Sequence, residues 1–182
     1  TALCAALSTR LMSYVDNLES NLRSIGFRKA IRYIQCNGGT TSGPMLKERP
    51  VLALDSGPAA GPAAGLFFSR QFDIENVVII DMGGTSLDVS LVKDGLIETA
   101  TNADVHRYRV NLPMVNVRTI GAGGGSIGRI DDAAMLQVGP QSAESNPGPA
   151  CYDRGGAEPT VTDANVVLGY FSAESLLGGR MP

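Results

Sequence analysis

The segment Val77–Val92 constrains this chain more than any other. Val77-Val78-Ile79-Ile80 is a β-branched run too short for a helix, and it predicts a strand buried on both faces. The run ends in Asp81-Met82-Gly83-Gly84-Thr85-Ser86. Leu87-Asp88-Val89-Ser90-Leu91-Val92 then alternates apolar and polar residues, the period of a strand with one face on a core. Lys93-Asp94-Gly95 turns the chain into Leu96–Thr99, so the whole segment predicts a three-stranded meander with a Gly-Gly tip. Bare backbone at such a tip lets a ligand approach closely, and the N–H groups of Gly83, Gly84 and Thr85 can converge on a phosphate. Asp81 would repel a phosphate at contact distance. Its reasonable role is to hold a hydrated Mg²⁺, which takes one or two carboxylates together with waters and phosphates. Asp88 shares its side of the second strand with Ser86 and Ser90. The competing reading is an ordinary Gly-Gly hairpin with Asp81 as a turn residue. A P-loop is excluded, because no GxxxxGK followed by Ser or Thr occurs and the turn joins two strands.

Around this segment the pattern is helical at both ends of the chain. Leu3, Leu7, Leu11, Val15, Leu18, Leu22 and Ile25 recur at steps of three and four, predicting a helix over residues 1–26 that ends at Gly26 and packs on a sheet. Ile31–Cys36 reads as a strand closed by Asn37-Gly38-Gly39, and Val51–Leu54 as a buried strand. In Ser56–Phe68 the prolines start a helix at Pro58 or with Pro62 at the first helical position. Its small residues imply that another backbone or a ligand comes close. Val115–Ile120 reads as a strand running into Gly121-Ala122-Gly123-Gly124-Gly125-Ser126-Ile127-Gly128. Gly123, Gly125 and Gly128 match GxGxxG formally, yet a dinucleotide turn must open a helix and Gly139-Pro140 arrives too soon for one. Two readings stand: an anion-capable turn near the same ligand, or a strand connection needing positive φ. Asp131 and Asp132 could approach a metal but read better as a solvated pair. Residues 139–160, rich in Gly, Pro, Ser and Asn, form a long irregular segment of the kind that usually carries function. Thr160-Val161-Thr162-Asp163 opens a last helix through Ala164–Phe171, with Thr162 as its cap.

Composition removes several function classes. With 15 Lys plus Arg against 18 Asp plus Glu and a net charge of −3, no basic footprint for nucleic acid or an anionic membrane is present. No apolar run approaches the roughly 18 residues of a membrane span. Cys4, Cys36 and Cys151 are far apart and odd in number, which indicates neither a disulfide framework nor a zinc site and suits a reducing, cytoplasmic setting. His106, beside Arg107 and near Arg109, reads as a surface residue, so Cys151 has no histidine with which to form a nucleophile pair. No Ser sits in a GxSxG elbow. No catalytic residue is assigned. The chain opens at Thr1 and closes on Met181-Pro182 just after Gly178-Gly179, and is expected to be a piece of a longer protein.

Four stretches carry a family resemblance. They are Ser56-Gly57-Pro58-Ala59-Ala60-Gly61, Asp81–Val89, Thr119–Ile127, and Asn146–Tyr152 with Gly155-Gly156 and Pro159–Asn165. Together they resemble the hydantoinase A / oxoprolinase family, which includes acetone and acetophenone carboxylase subunits. The resemblance implies an α/β fold: an actin-like (ribonuclease H-like) ATPase lobe, a mixed β-sheet flanked by helices, incomplete here. It further implies ATP and Mg²⁺ as cofactors and a small-molecule substrate. Asp81, Gly83, Gly84, Thr85 and Asp88 match the family's second phosphate loop, with Ser86 and the Gly123, Gly124, Gly125 turn expected at the same nucleotide and Asp81 at the metal. On this reading residues 1–182 form one partial domain: 1–72 leading in, 73–138 the phosphate-loop sheet, and 139–182 the Gly/Pro-rich loop and last helix. The lobe with the first phosphate loop, the Gly-rich adenosine segment beyond Pro182 and partner subunits would lie elsewhere, and Pro62 stands where an apolar residue is usual. The implied reaction is ATP-dependent activation of a cyclic amide for ring-opening hydrolysis. The alternatives are the ATP-binding subunit of a ketone carboxylase, or a scaffold without chemistry.

Overall fold

The computed structural model describes residues 2–105 and 108–172. His106, Arg107 and the chain end at 173–182 lie outside the described residues. The chain divides into two compact units, Thr1–Ile79 with Ser90–Val117 and Ile80–Val89 with Arg118–Pro182.

In the first unit, helix α1 (Ala2–Ser24) places Val15 at full burial and leaves Leu3, Leu7, Leu11, Leu18 and Leu22 half-buried, which is the stripe the leucine spacing dictates. Gly26, at φ 92°, ends it: its N–H donates to the Arg23 carbonyl (3.0 Å) and that of Phe27 to Leu22 (2.9 Å). The helix packs on other helical turns rather than on a sheet, namely α2 (Gly43–Glu48) and a 3₁₀ turn at Pro50–Ala53. Strand β1 (Tyr33–Ile34) pairs antiparallel with β2 (Thr40–Thr41), so only two residues of the strand expected over 31–36 form a ladder. Beyond it, Cys36 is buried, its N–H donating to Leu52 and its carbonyl accepting from Val115. The strand expected at Val51–Leu54 is the 3₁₀ turn instead. Pro50, with φ fixed and no N–H, favours the first turn of a helix over a ladder.

Helix α3 (Ala60–Phe72) starts two residues before Pro62, which sits in the first turn, where its missing N–H has no intrahelical partner to lose. The small residues of this helix let a side chain come close: a Cβ at Gly65 would meet Ile79 Cδ1 at 2.6 Å. Its outer face is aromatic, with Phe67 edge-on to Phe68 and Phe68 stacked on Phe72, all exposed.

Strand β3 (Val77–Met82) leads to β4 (Leu87–Lys93) and, through Asp94 (φ 51°) and Gly95 (φ 71°), to β5 (Leu96–Ile97). Two positive φ values in the loop give the tight turn that Asp-Gly favours. β3 is not buried on both faces. Val77 and Ile79 are half-buried, whereas Val78 and Ile80 stand 60% and 64% exposed, because α3 covers only the face carrying Ile79. β4 buries Ser90 and Val92 and leaves Leu91 exposed. β6 (Thr99–Ala100) pairs with β9 (Met114–Val115), and β7 (Ala103–Val105) with β8 (Tyr108–Val110). Proline aside, the buried apolar side chains among the described residues are Val15, Cys36, Leu46, Ala59, Val92, Met114 and Val115, all in this unit.

Strand β10 (Val117–Ile120) completes a sheet of order β10-β4-β3, with β5 on β4. In the second unit β11 (Ser126–Ile130) pairs antiparallel with β12 (Leu136–Ser142), with a register shift between Ser126 and Gly128. Ser126 opens a strand rather than a helix, so GxGxxG has no dinucleotide context here. Asp131 is the turn residue of this hairpin, accepting from the N–H groups of Ala133 and Met135 and from Gln137 Nε2, which lowers its carboxyl pKa. Because β12 runs to Ser142, the irregular segment begins after it and contains a 3₁₀ turn at Ala150–Tyr152. Helix α4 (Val161–Val167) is capped by Thr160, not Thr162, and stops short of Phe171. No described helix is long and apolar enough to cross a membrane.

Candidate functional site

The expected phosphate-binding tip and the second glycine turn meet in the second unit, backbone against backbone. Gly124 N–H donates to the Gly83 carbonyl (2.9 Å) and Gly125 N–H to the Gly84 carbonyl (2.6 Å). Gly123 N–H turns inward to Ser126 Oγ (2.9 Å). A Cβ at Gly123 would lie 2.7 Å from the Gly84 oxygen, and one at Gly125 would lie 2.9 Å from the same atom. Glycine is therefore needed here for close approach, and neither residue has a positive φ. Thr162 adds a third layer, donating to the Gly124 carbonyl from both its N–H (2.8 Å) and its Oγ1 (2.9 Å).

This packing decides which amides face outward. Gly83 N–H closes the tip onto the Ser86 carbonyl (2.8 Å), and those of Gly123, Gly124 and Gly125 are engaged as above. The amides of Gly84 and Thr85 have no protein acceptor among the described residues, and a Cβ at Gly84 would meet open space. Of the three amides expected to converge, those of Gly84 and Thr85 are left without a protein acceptor, while Gly123–Gly125 pack against the tip.

Beside the tip lies a cavity of about 550 Å³ whose lining includes Met82, Gly84, Tyr152, Arg154, Thr162 and Phe171. Met82 lines it and Asp81 does not, as strand alternation requires. Asp81 is exposed at the end of β3, and Asp88 accepts from Thr119 Oγ1 (2.6 Å). Ser86 is half-buried and supplies the carbonyl that closes the tip. No group of three or more metal-ligating side chains occurs among the described residues.

The sequence reading missed a residue that organises one wall. Asp163 Oδ1 accepts from Cys151 N–H (2.7 Å), and Oδ2 accepts from Thr160 N–H (2.8 Å), Thr160 Oγ1 (2.7 Å) and Ala150 N–H (3.3 Å). Burial pushes its pKa up, but hydrogen bonds from the Cys151 side chain and backbone and from Thr160 outweigh that and bring it down to about 2. The Cys151 thiol is pushed up to about 11 by burial and by the Asp163 carboxylate, which keeps it protonated and a poor nucleophile. The signal was present as an acidic residue three positions after Thr160, the spacing of a capping box.

Relatives are now informative. A caprolactamase alpha subunit from Pseudomonas jessenii is 49% identical over 181 residues, covering 100% of this chain and 26% of the relative. The crystal structure of an ATP-dependent caprolactamase from the same organism superposes with a TM-score of 0.71 at 48% identity, over 96% of this chain and 25% of that one. A nucleotide-free acetone carboxylase structure superposes with a TM-score of 0.72 at 29% identity, over 92% and 23%. The chain thus spans about a quarter of the length of the relatives it matches. The Hydantoinase/oxoprolinase family pattern extends across residues 1–182, and the chain belongs to that family.

Proposed function

We propose that this chain is the phosphate-loop portion of an ATP-dependent enzyme that activates a cyclic amide for ring-opening hydrolysis, built as part of an actin-like ATPase lobe. The observation that carries the reading is the tip itself: Gly84 and Thr85 offer two unpartnered amides at a bare loop braced by Gly123–Gly125. The 49% identity to a caprolactamase subunit supports a lactam-type substrate. Two outward amides suit the oxygens of a phosphate, because fixed backbone donors stabilise developing charge without reorganising. Phosphorylation of the amide oxygen would make the carbonyl carbon susceptible to water. In that step the chain's own part is to hold the phosphates in place.

Asp81 fits a hydrated Mg²⁺ as far as its position goes. It is an exposed carboxylate two residues before the tip, and Asp88 stands two residues after Ser86, the equivalent ladder position in a hairpin closed at Gly83–Ser86. Mg²⁺, when bound, would supply charge neutralisation at the phosphates. Asp88, anchored by Thr119, would face the same region. The absence of a disulfide among Cys4, Cys36 and Cys151 supports a cytoplasmic setting, and the rest of the parent chain with partner subunits would complete the enzyme.

A second reading, an ATP-binding carboxylase subunit, is favoured by the superposition on acetone carboxylase. The test is Mg-ATP titration and phosphate release in the full-length parent protein. Release that requires a lactam supports the hydrolase, and release that requires a ketone with bicarbonate supports the carboxylase. An Asp81→Asn variant with unchanged Mg-ATP affinity and turnover removes Asp81 from the site. The 182-residue chain alone is expected to show no single-turnover hydrolysis.

A further inference from the structure

We infer that Asp163 is a positioning residue for the cavity beside the Gly84 tip, acting through the Ala150–Arg154 loop to set the wall that carries Tyr152 and Arg154. This rests on the proposed reading of that tip as a phosphate site, with the cavity beside it taking the rest of the nucleotide. The two carboxylate oxygens hold both elements. Oδ1 takes Cys151 N–H at 2.7 Å and Oδ2 takes Ala150 N–H at 3.3 Å, fixing the loop, while Oδ2 also takes Thr160 N–H and Oγ1 at the start of α4. One side chain therefore clamps the loop to the helix start. The adjacent residue, Thr162, clamps that helix start to Gly124, whose N–H holds the Gly83 carbonyl. Asp163 and Thr162 thus join the Tyr152 wall and the Gly84 tip, both in the lining of one cavity, through consecutive residues.

The loop is built to be held. Pro149 is fully buried, and a Cβ at Gly148 would lie 2.9 Å from Tyr152 Cδ2, so the tyrosine ring rests on bare backbone. A Cβ at Gly156 would likewise run into the Gly148 carbonyl. With the loop packed against itself this closely, its remaining freedom is to swing as a body, and the Asp163 anchors remove that freedom. Loss of a hydrogen bond to a charged group in such a setting is large enough to read as a clear affinity change.

The experiment uses the full-length parent protein as wild type, Asp163→Ala and Val15→Ala, with Mg-ATP affinity by calorimetry and KM and kcat measured separately. Val15→Ala opens a cavity in the first unit's interior and leaves every Asp163 anchor in place, so the melting temperature falls while KM for Mg-ATP stays within about twofold. Asp163→Ala is expected to raise that KM by roughly tenfold or more, with a smaller change in kcat. Equal KM values in the two variants at matched loss of melting temperature overturn the positioning role and leave the nucleotide reading standing. Absence of Mg-ATP binding by the wild type removes the nucleotide reading itself, and the inference with it. If Asp163→Ala does not fold, amide exchange in the wild type decides. Exchange at Ala150–Arg154 should slow at least about tenfold with Mg-ATP bound, and unchanged exchange overturns the role.

Discussion

The two units of this chain are held together by different physics. The first keeps a conventional apolar interior, with Val15, Leu46, Val92, Met114 and Val115 removed from water. In the second, the fully buried larger side chains among the described residues are Ser126 and Pro149, joined by the nearly buried Thr160 and Thr162. Its cohesion comes from hydrogen bonds and from glycine backbones pressed within van der Waals distance of carbonyls. The difference teaches where each unit tolerates change. An apolar interior yields gradually to volume changes, whereas a backbone-to-backbone contact has no side chain that can move aside.

The sharpest way to break the comparison is to add one methyl group to each unit. Gly123→Ala drives a Cβ to 2.7 Å from the Gly84 oxygen and should cost about 3 kcal/mol, read as a melting shift with loss of Mg-ATP affinity. Gly61→Ala in the first unit meets only Ile79 Cγ2 at 3.5 Å, an ordinary van der Waals contact, and should cost clearly less. Equal losses would remove the distinction. Next in size, Val15→Ala in the first interior should cost about 2 kcal/mol and leave nucleotide affinity of the parent protein unaltered. Thr160→Ala, by removing a cap, should cost about 1 kcal/mol in denaturant titration.

Acid gives a gentler probe. Asp163 titrates near 2 in the folded chain against an ordinary value of 3.8, so the folded state binds the proton later than the unfolded one. Its stabilisation is present above about pH 4 and lost as pH falls toward 2, and amide exchange should first rise at Ala150–Tyr152. Cys151 runs the other way: its stabilisation is full below about pH 9 and lost as pH climbs through about 11. The smallest effect belongs to the first unit's exposed Lys47–Asp16 pair, where Lys47→Ala should change stability by about 0.5 kcal/mol and fade further in high salt.

These contrasts also explain what could be read before any coordinates were known. Helix α1 was legible because leucine spacing and a terminal glycine act within a few residues of each other. The Asp81–Asp88 hairpin was legible because two glycines between alternating runs have few local solutions. Val51–Leu54 misled because a short apolar run is a weak guide beside a proline that fixes φ. The burial of β3 misled because apolar residues state a preference for cover, not whether cover is present in this segment. The division of labour at the glycine turns was illegible for another reason. Which amides bond internally depends on contacts between positions about forty residues apart, such as Gly84 with Gly125. Asp163 was legible in principle, three places after Thr160, but its hold on Cys151 was not.

The aromatic ladder on the outside of α3 has a practical consequence. Phe67, Phe68 and Phe72 present a ring-lined strip to water. Handled apart from its parent, this segment should therefore light up a dye such as ANS and self-associate as ammonium sulfate is raised. Mild detergent should reverse both.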